Sequence, residues 1–231
     1  LGADTQNGFH GSTYFRDTFA GHKFVVWYSK DESGGYNIYS DYQPNTTNKK
    51  RSYDVNSVGA KYGYDFAKNL TLQASYIHTT ANLDYPSVGG NSVNDREEQV
   101  FSSRLDYTPS DAFKLFLKSY YHTWDTNYYT KPNPSKYWGF RDMGVSGLMQ
   151  ADLHKGFEYN LGYDFQRYHG RDEVLLIDGK TEKVQAVFAQ LRSTDDLSRR
   201  ARFAVGARLN HAAGGNNTVW NASGVFDITP N

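Results

Sequence analysis

The stretch "FEYNLGYDFQ", Phe157–Gln166, alternates without a break. Phe157, Tyr159, Leu161, Tyr163 and Phe165 fall on one side of an extended chain, and Glu158, Asn160, Gly162, Asp164 and Gln166 fall on the other. A period of two marks a strand with one apolar and one polar face. Its length is unusual. A globular strand runs roughly five or six residues, whereas a tilted strand that crosses a bilayer needs about nine to eleven.

The same alternation recurs along the chain. In "FKLFLKSYYHTW", Phe113–Trp124, the residues Phe113, Leu115, Leu117 and Tyr121 oppose Lys114, Lys118 and His122. Phe203, Val205, Ala207 and Leu209 oppose Arg202, Ala204, Gly206 and Arg208. Val58, Ala60, Tyr62, Tyr64 and Phe66 form one such run, Leu70, Leu72, Ala74 and Tyr76 the next, with only "AKN" between them. Trp220, Ala222, Gly224, Phe226 and Ile228 share a face near the end. With further runs near 97–107 and 138–153, and less regular ones near 8–16, 22–31 and 183–193, the sequence predicts about eleven long strands.

The connections carry a second signal. Short turns are expected at 16–21, 67–69, 108–112, 154–156 and 194–198, and at the terminal "TPN", 229–231. Between them lie polar stretches, 31–52, 80–96, 125–137, 169–181 and 211–218, rich in Asn, Asp, Gly, Pro, Ser and Tyr and expected to be long loops. Strict alternation of short and long connections trims one rim of a sheet and elaborates the other. A soluble β-sandwich shares the alternation and the turns, but not the strand length or this order of connections. The expected fold class is therefore all-β: part of an antiparallel transmembrane β-barrel, with the Phe157–Phe165 face in lipid and Glu158, Asn160, Asp164 and Gln166 in a wet lumen. Tyr64, Phe66, Tyr107, Phe113, Phe157 and Tyr159 sit beside the short turns, where an aromatic interface girdle belongs.

Composition narrows the partners. The 231 residues include 25 basic and 25 acidic side chains, so no global field draws the chain to nucleic acid. Cysteine is absent, which removes disulfides, thiolate metal sites and thiol nucleophiles. A mean hydropathy of −0.73 and the lack of any apolar run of about 18 residues exclude membrane helices. They say nothing against a barrel, in which lipid-facing and lumen-facing residues cancel.

The last third resembles a known family. "VQAVFAQLRSTDDLSRRARFAVGARLNH", Val184–His211, is similar to the strand, tight turn and strand of TonB-dependent outer-membrane receptors, whose second strand closes on a l-x-v-G-x-R-l pattern, here "FAVGARLN". "VWNASGVFDITPN", Val219–Asn231, looks like the following family strand, and "VVWYSKDESGGYN", Val25–Asn37, like the second barrel strand with its glycine-rich exit. The order of loops is that of the cobalamin and siderophore receptors. The resemblance implies a parent barrel of about 22 strands filled by an N-terminal plug that reaches TonB. Residues 1–231 would then be an internal part of that barrel, without plug or C-terminal strands. Implied partners are outer-membrane lipid, the TonB complex through the plug, and a ferric siderophore or cobalamin-like ligand. The implied role is import of a scarce, bulky nutrient, with no cofactor and no bond chemistry. A passive porin or adhesin-type barrel, and a soluble all-β carbohydrate-binding module, are the competing readings.

A search for catalytic patterns finds none. His10, His22, His78, His122, His154, His169 and His211 show no zinc-binding spacing, no G-x-S-x-G elbow occurs, and the glycine pairs lack the lysine and helix of a phosphate loop. Two stretches combine aromatic and cationic residues. "GGYNIYSDYQP" carries Tyr36, Tyr39 and Tyr42, and "DTNYYTKPNPSKYWGFR" carries Tyr128, Tyr129, Lys131, Lys136, Tyr137, Trp138 and Arg141. Rings plus cationic heads suit a planar, negatively charged ligand, and Tyr36, Tyr39, Tyr42, Tyr128, Tyr129, Tyr137, Trp138 and Arg141 are the candidate ligand contacts. Packing aromatics beside solvated lysines are the plainer alternative. Asp31 and Glu32 with Asp41, or Asp172 with Glu173, have the oxygen chemistry of a calcium site, but ordinary loop charge explains them as well.

Overall fold

Alternating side chains need a neighbouring ladder on each edge and a different environment on each face, and both demands shape the sheet. The computed structural model describes residues 1–5, 7–36, 50–87, 90–130 and 134–227. Twelve strands form one antiparallel sheet in strict sequence order. They are β1 (Gly2–Ala3), β2 (Phe9–Phe19), β3 (His22–Tyr36), β4 (Arg51–Ala67), β5 (Leu70–Ser87), β6 (Gly90–Ser110), β7 (Phe113–Thr130), β8 (Lys136–His154), β9 (Phe157–Asp172), β10 (Ile177–Ser193), β11 (Ala201–Ala212) and β12 (Gly215–Phe226). β2–β12 are the eleven long strands that the periodicity requires. The short β1 adds two residues to the edge of β2, pairing Gly2 with His10 and Ala3 with Phe9.

Five of the six short turns fall where the sequence puts them; the one at 229–231 lies outside the described residues. Between β2 and β3, Ala20 (φ 48°) and Gly21 (φ 84°) both take positive φ, the two-residue hairpin geometry whose twist matches the flanking strands. The opposite rim differs from expectation. Stretches read as long loops are largely strand: β5 runs to Ser87 and β6 starts at Gly90, β7 runs to Thr130, and only residues 173–176 separate β9 from β10. β3 and β4 likewise reach Tyr36 and back from Arg51, and residues 37–49 lie outside those described. The physical reason is that no lipid flanks this rim. The ladder continues there without apolar alternation, so the sequence loses its period while the backbone keeps pairing.

Register aligns the apolar positions into a band. Tyr163 pairs with Gly147 and Val187, Gly147 with Leu117, Leu117 with Leu105 and Leu105 with Leu72. One row thus collects like residues from six strands. Phe157 to Phe165 measures about 26 Å along the strand at ~3.3 Å per residue, close to 20 Å of height at the usual barrel tilt of about 40°. Aromatic rings cap the band at the short-turn rim: His22 stacks on Tyr64 at 4.3 Å, Tyr64 meets Phe66 edge-on at 4.7 Å, and Phe157 meets Phe203 at 6.4 Å.

This band has no protein cover. Leu161 is 47% exposed, Leu117 48% and Val187 49%. The buried hydrophobics among the described residues are Val93, Ala151 and Ala186 alone. The accessible surface is 15677 Å², whereas a 26.3 kDa globular monomer would expose about 10,600 Å². A sheet with no core of its own is stable only where a non-aqueous medium takes the apolar face.

The inner face is polar and paired. Asp164 accepts from Ser146 (2.5 Å) and from Arg208 (2.5 Å), while Glu158 accepts from Gln150 (2.6 Å), Asn160 (2.8 Å) and Arg192 (3.3 Å). Aromatic rings on this face lie across glycines directly opposite, Phe188 over Gly162 and Trp27 over Gly59, and each ring carries a cation, Arg208 at 5.6 Å and Lys61 at 5.9 Å. Side chains from β2 to β7, among them Arg16, Val25, Lys61, Ser75, Ser102 and Tyr120, line one cavity of about 1110 Å³, so the sheet curls toward the inner face.

These faces give a test. A midplane arginine on the lipid face of a barrel costs about 2–4 kcal/mol, so Leu161→Arg in the full-length protein is expected to cut the amount assembled in the outer membrane sharply. Asn160→Arg, on the inner face, is expected to leave it near normal. Equal assembly of the two variants, measured by heat-modifiable mobility, overturns the assignment of faces.

Candidate functional site

The pleat sorts the candidate residues by parity. On β7 and β8, Tyr128 and Trp138 point inward, while Tyr129, Tyr137 and Arg141 lie on the outer face, in register with neighbours such as Val93, Asn127 and Thr123. Tyr36, 54% exposed, sits opposite Arg51. Tyr39 and Tyr42 lie outside the described residues. Adjacent positions such as Tyr137 and Trp138 are therefore not brought together, because the strand turns them to opposite sides.

Instead, the inner face collects a ring wall from alternate residues. Trp124 is opposite Phe140 and Trp138 is opposite Thr126. The Trp124 indole stacks with Trp138 at 5.9 Å and with Phe140 at 6.5 Å and 6°, and its Nε1–H donates to Thr126 Oγ1 at 2.7 Å. The Arg96 guanidinium lies 5.6 Å from the Trp124 ring, aimed by its Nε–H bond to Asn94 (2.8 Å). His122 meets Phe140 edge-on at 5.0 Å and is 2.8 Å from Glu98 through Nε2. One turn of the pleat lower, the Tyr120 hydroxyl donates to Asp142 (3.0 Å) and accepts from Gln166 (2.5 Å).

Sequence reasoning passed over Trp124, Phe140, Arg96, His122 and Asp142. The available signal was the i, i+2 spacing of Trp138 with Phe140 and of His122, Trp124 and Thr126. The composition of 125–137 hides it, because the segment reads as a loop, where neighbours in sequence count as neighbours in space.

The wall can stack planar rings and hold an anionic group at Arg96. Among the described residues no group of three or more His, Asp or Glu is placed to hold a metal ion. The carboxylates considered for calcium have other partners. Asp31 is 2.8 Å from His10, Glu32 is 2.7 Å from Lys30, Asp172 accepts from the backbone of Val174 and Leu175, and Glu173 binds Arg171 and the Tyr137 amide. Asp41 is outside the described residues.

Tyr137 is fixed rather than free. It stands well beyond Val145, the β8 partner of Phe165 at the end of the apolar band, and its hydroxyl donates to the Asp125 carboxylate. Burial first, and then that bond to an anion, push its phenol up from 10.0 to about 12. The folded state thus resists ionisation. Stability from this group is complete below pH 10 and is lost as pH rises toward 12, because the unfolded phenol ionises first. In Tyr137→Phe this alkaline loss is expected to shrink, read by hydrogen exchange of the β7–β8 hairpin. An unchanged alkaline profile counts against the bond.

No family model matches the sequence, and no curated protein does. Solved structures do match the fold. The siderophore receptor PirA from Pseudomonas aeruginosa superposes with a TM-score of 0.75 at 10% identity, over 98% of this chain and 38% of PirA. The copper transporter OprC gives 0.69 at 14% identity, over 96% and 40%. The RagAB peptide importer gives 0.69 at 9%, over 96% and 34%. The chain spans roughly two-fifths or less of each of these proteins, and at such identities the likeness is one of fold.

Proposed function

We propose, for a chain that has the fold of part of an outer-membrane receptor β-barrel, that its parent protein resides in the outer membrane of a Gram-negative bacterium and imports a scarce, bulky nutrient. Further strands would pair the free edges of β2 and β12, since an unpaired amide in hydrocarbon costs several kcal/mol. A plug domain would couple import to TonB, as the resemblance of Val184–Asn231 implies.

The observation that carries the reading is the inner-face wall of Trp124, Trp138 and Phe140 with Arg96. It stands above the lipid band, on the elaborated rim, where a ligand arriving from outside meets the barrel first. Its chemistry favours a planar, anionic ligand, and a ferric siderophore fits better than a peptide; a cobalamin-like ligand shares the size and the rings. Tyr128, on the same hairpin, would extend this surface, and Tyr36, on the β3–β4 hairpin beyond β5 and β6, would be a further contact with Tyr39 and Tyr42. The outward Tyr129, Tyr137 and Arg141 would hold the hairpins rather than the ligand.

Uptake of radiolabelled ferric siderophores by cells that carry the full-length protein as their sole receptor tests this. Trp124→Ala removes the hub of the wall and is expected to weaken binding by about tenfold, equivalent to ~1.4 kcal/mol, with surface expression unchanged. Uptake is also expected to stop when the inner-membrane proton gradient is collapsed. Uptake that survives the uncoupler indicates a passive porin and overturns the energised mechanism.

A further inference from the structure

The outer face changes character where the lipid band ends. On β5, β6 and β7 the first outward positions beyond the apolar ones are His78, Gln99 and Thr123. On β8 and β9 they are Arg141, after Met143, and Arg167, after Phe165, while on β10 Gln185 and then Lys183 follow Val187. The register sets these charges against one another. Arg167 stands directly opposite Lys183, and in the next outward row Arg141 stands opposite His169.

The sheet does not neutralise them. Arg141, Arg167 and Lys183 are exposed and have no ion-pair or hydrogen-bond partner among the described residues. His169 Nδ1 is 2.8 Å from Thr181 Oγ1, and further up Arg171 is paired with Glu173 at 2.9 Å. The acids nearest in sequence are turned to the other side: Asp142 lies inward with Tyr120, and Glu182 stands opposite the inward Tyr168. The outward acids Asp95, Glu97 and Asp125 belong to β6 and β7 and are taken by Asn82, His78 and Tyr137. Like charges directly opposite each other, with Cβ atoms about 5 Å apart, destabilise an antiparallel pair. Arg167 and Lys183 therefore lack an anion, and the side from which one can reach them is the membrane side.

Below these cations the same strands leave a gap in the band. Gly147 faces outward between Leu117 and Tyr163, and a Cβ there would meet nothing within 4 Å. With Leu105, Leu117, Leu161, Tyr163 and Val187 it lines an apolar groove of about 730 Å³. From Tyr163 to Arg167, and from Val187 to Lys183, the strand rises about 13 Å at ~3.3 Å per residue, a distance that an acyl chain and its headgroup span together. We propose that the outer face of β8–β10 is a docking site for a membrane lipid whose headgroup carries phosphate monoesters, with a phosphate bridging Arg167 and Lys183 and an acyl chain in the groove at Gly147. Arg141 and His169 extend the contact toward the rim. Guanidinium groups take phosphate through two parallel hydrogen bonds, and cations at a lipid surface gain from its negative charge. A soluble anion would meet the cations but leave the groove empty. The proposal rests on the membrane-spanning reading of this face and not on import, and the lumen has no part in it.

The test is native mass spectrometry of the delipidated full-length protein in detergent, titrated with diphosphoryl lipid A, with its dephosphorylated form and with inorganic phosphate. Saturable retention of the phosphorylated lipid is expected. Arg167→Gln combined with Lys183→Gln is expected to weaken it by about tenfold or more, whereas Lys68→Gln combined with Lys155→Gln, in the β4–β5 and β8–β9 turns, leaves it unchanged. The first pair of changes removes two exposed, unpartnered and mutually repelling charges, so assembly is expected to stay intact. Equal retention by the two double variants overturns the proposal, as does retention of the dephosphorylated lipid as tightly as the phosphorylated one. Displacement of the lipid by an equimolar amount of inorganic phosphate also overturns it, since that marks a site for a soluble anion. Lipid retention is read without transport, so a failed uptake assay and a failed retention assay are separate results.

Discussion

The constraint on which the rest depends is that backbone amides in hydrocarbon must be paired within the protein. The continuous antiparallel ladder from β1 to β12 answers it, and it fixes everything else by parity. Once each residue has a cross-strand partner, its face is fixed, and with it its solvent. Leu161, Leu117 and Val187 can remain half exposed because their medium is lipid. Asp164 and Glu158, one position away on the same strands as apolar residues, are each tied to two or more polar neighbours.

Parity also explains which parts were legible in the sequence. Within the band, hydrophobic alternation reports face and strand together, so β9 and β11 could be read residue by residue, and the short turns followed from Gly21, Gly156 and their neighbours. Beyond the band both faces are wet. Thr126, Asn127, Tyr128 and Tyr129 carry no hydropathy contrast, so the strands persisted where the pattern did not. The same loss hid the wall. Trp124, Trp138 and Phe140 lie fourteen and sixteen positions apart or two apart, and only the β7–β8 register joins them. The candidate set from 128–141 was chosen by proximity along the chain, and the pleat divides it between two faces.

A fold shared with structures described as a siderophore receptor, a copper transporter and a peptide importer does not select a cargo, because the ladder and the lipid band are common to all of them. What differs is the inner face, which the ladder leaves free to vary. On that surface this chain arranges two distinct chemistries at different heights. Near the elaborated rim, rings are held edge to edge and face to face with a single guanidinium. Lower down, the hydroxyls of Ser75 and Ser102 share the face with cations, of which Lys23 and Arg104 are paired with Asp65 and Asp106.

The two levels impose different demands on a passing solute. Stacking on Trp124 is insensitive to salt and depends on a flat ligand surface. Attraction to a cation such as Lys118 acts over a longer range, weakens with ionic strength and depends on charge alone. The height of each surface along the strands is set by the register of β4 to β8.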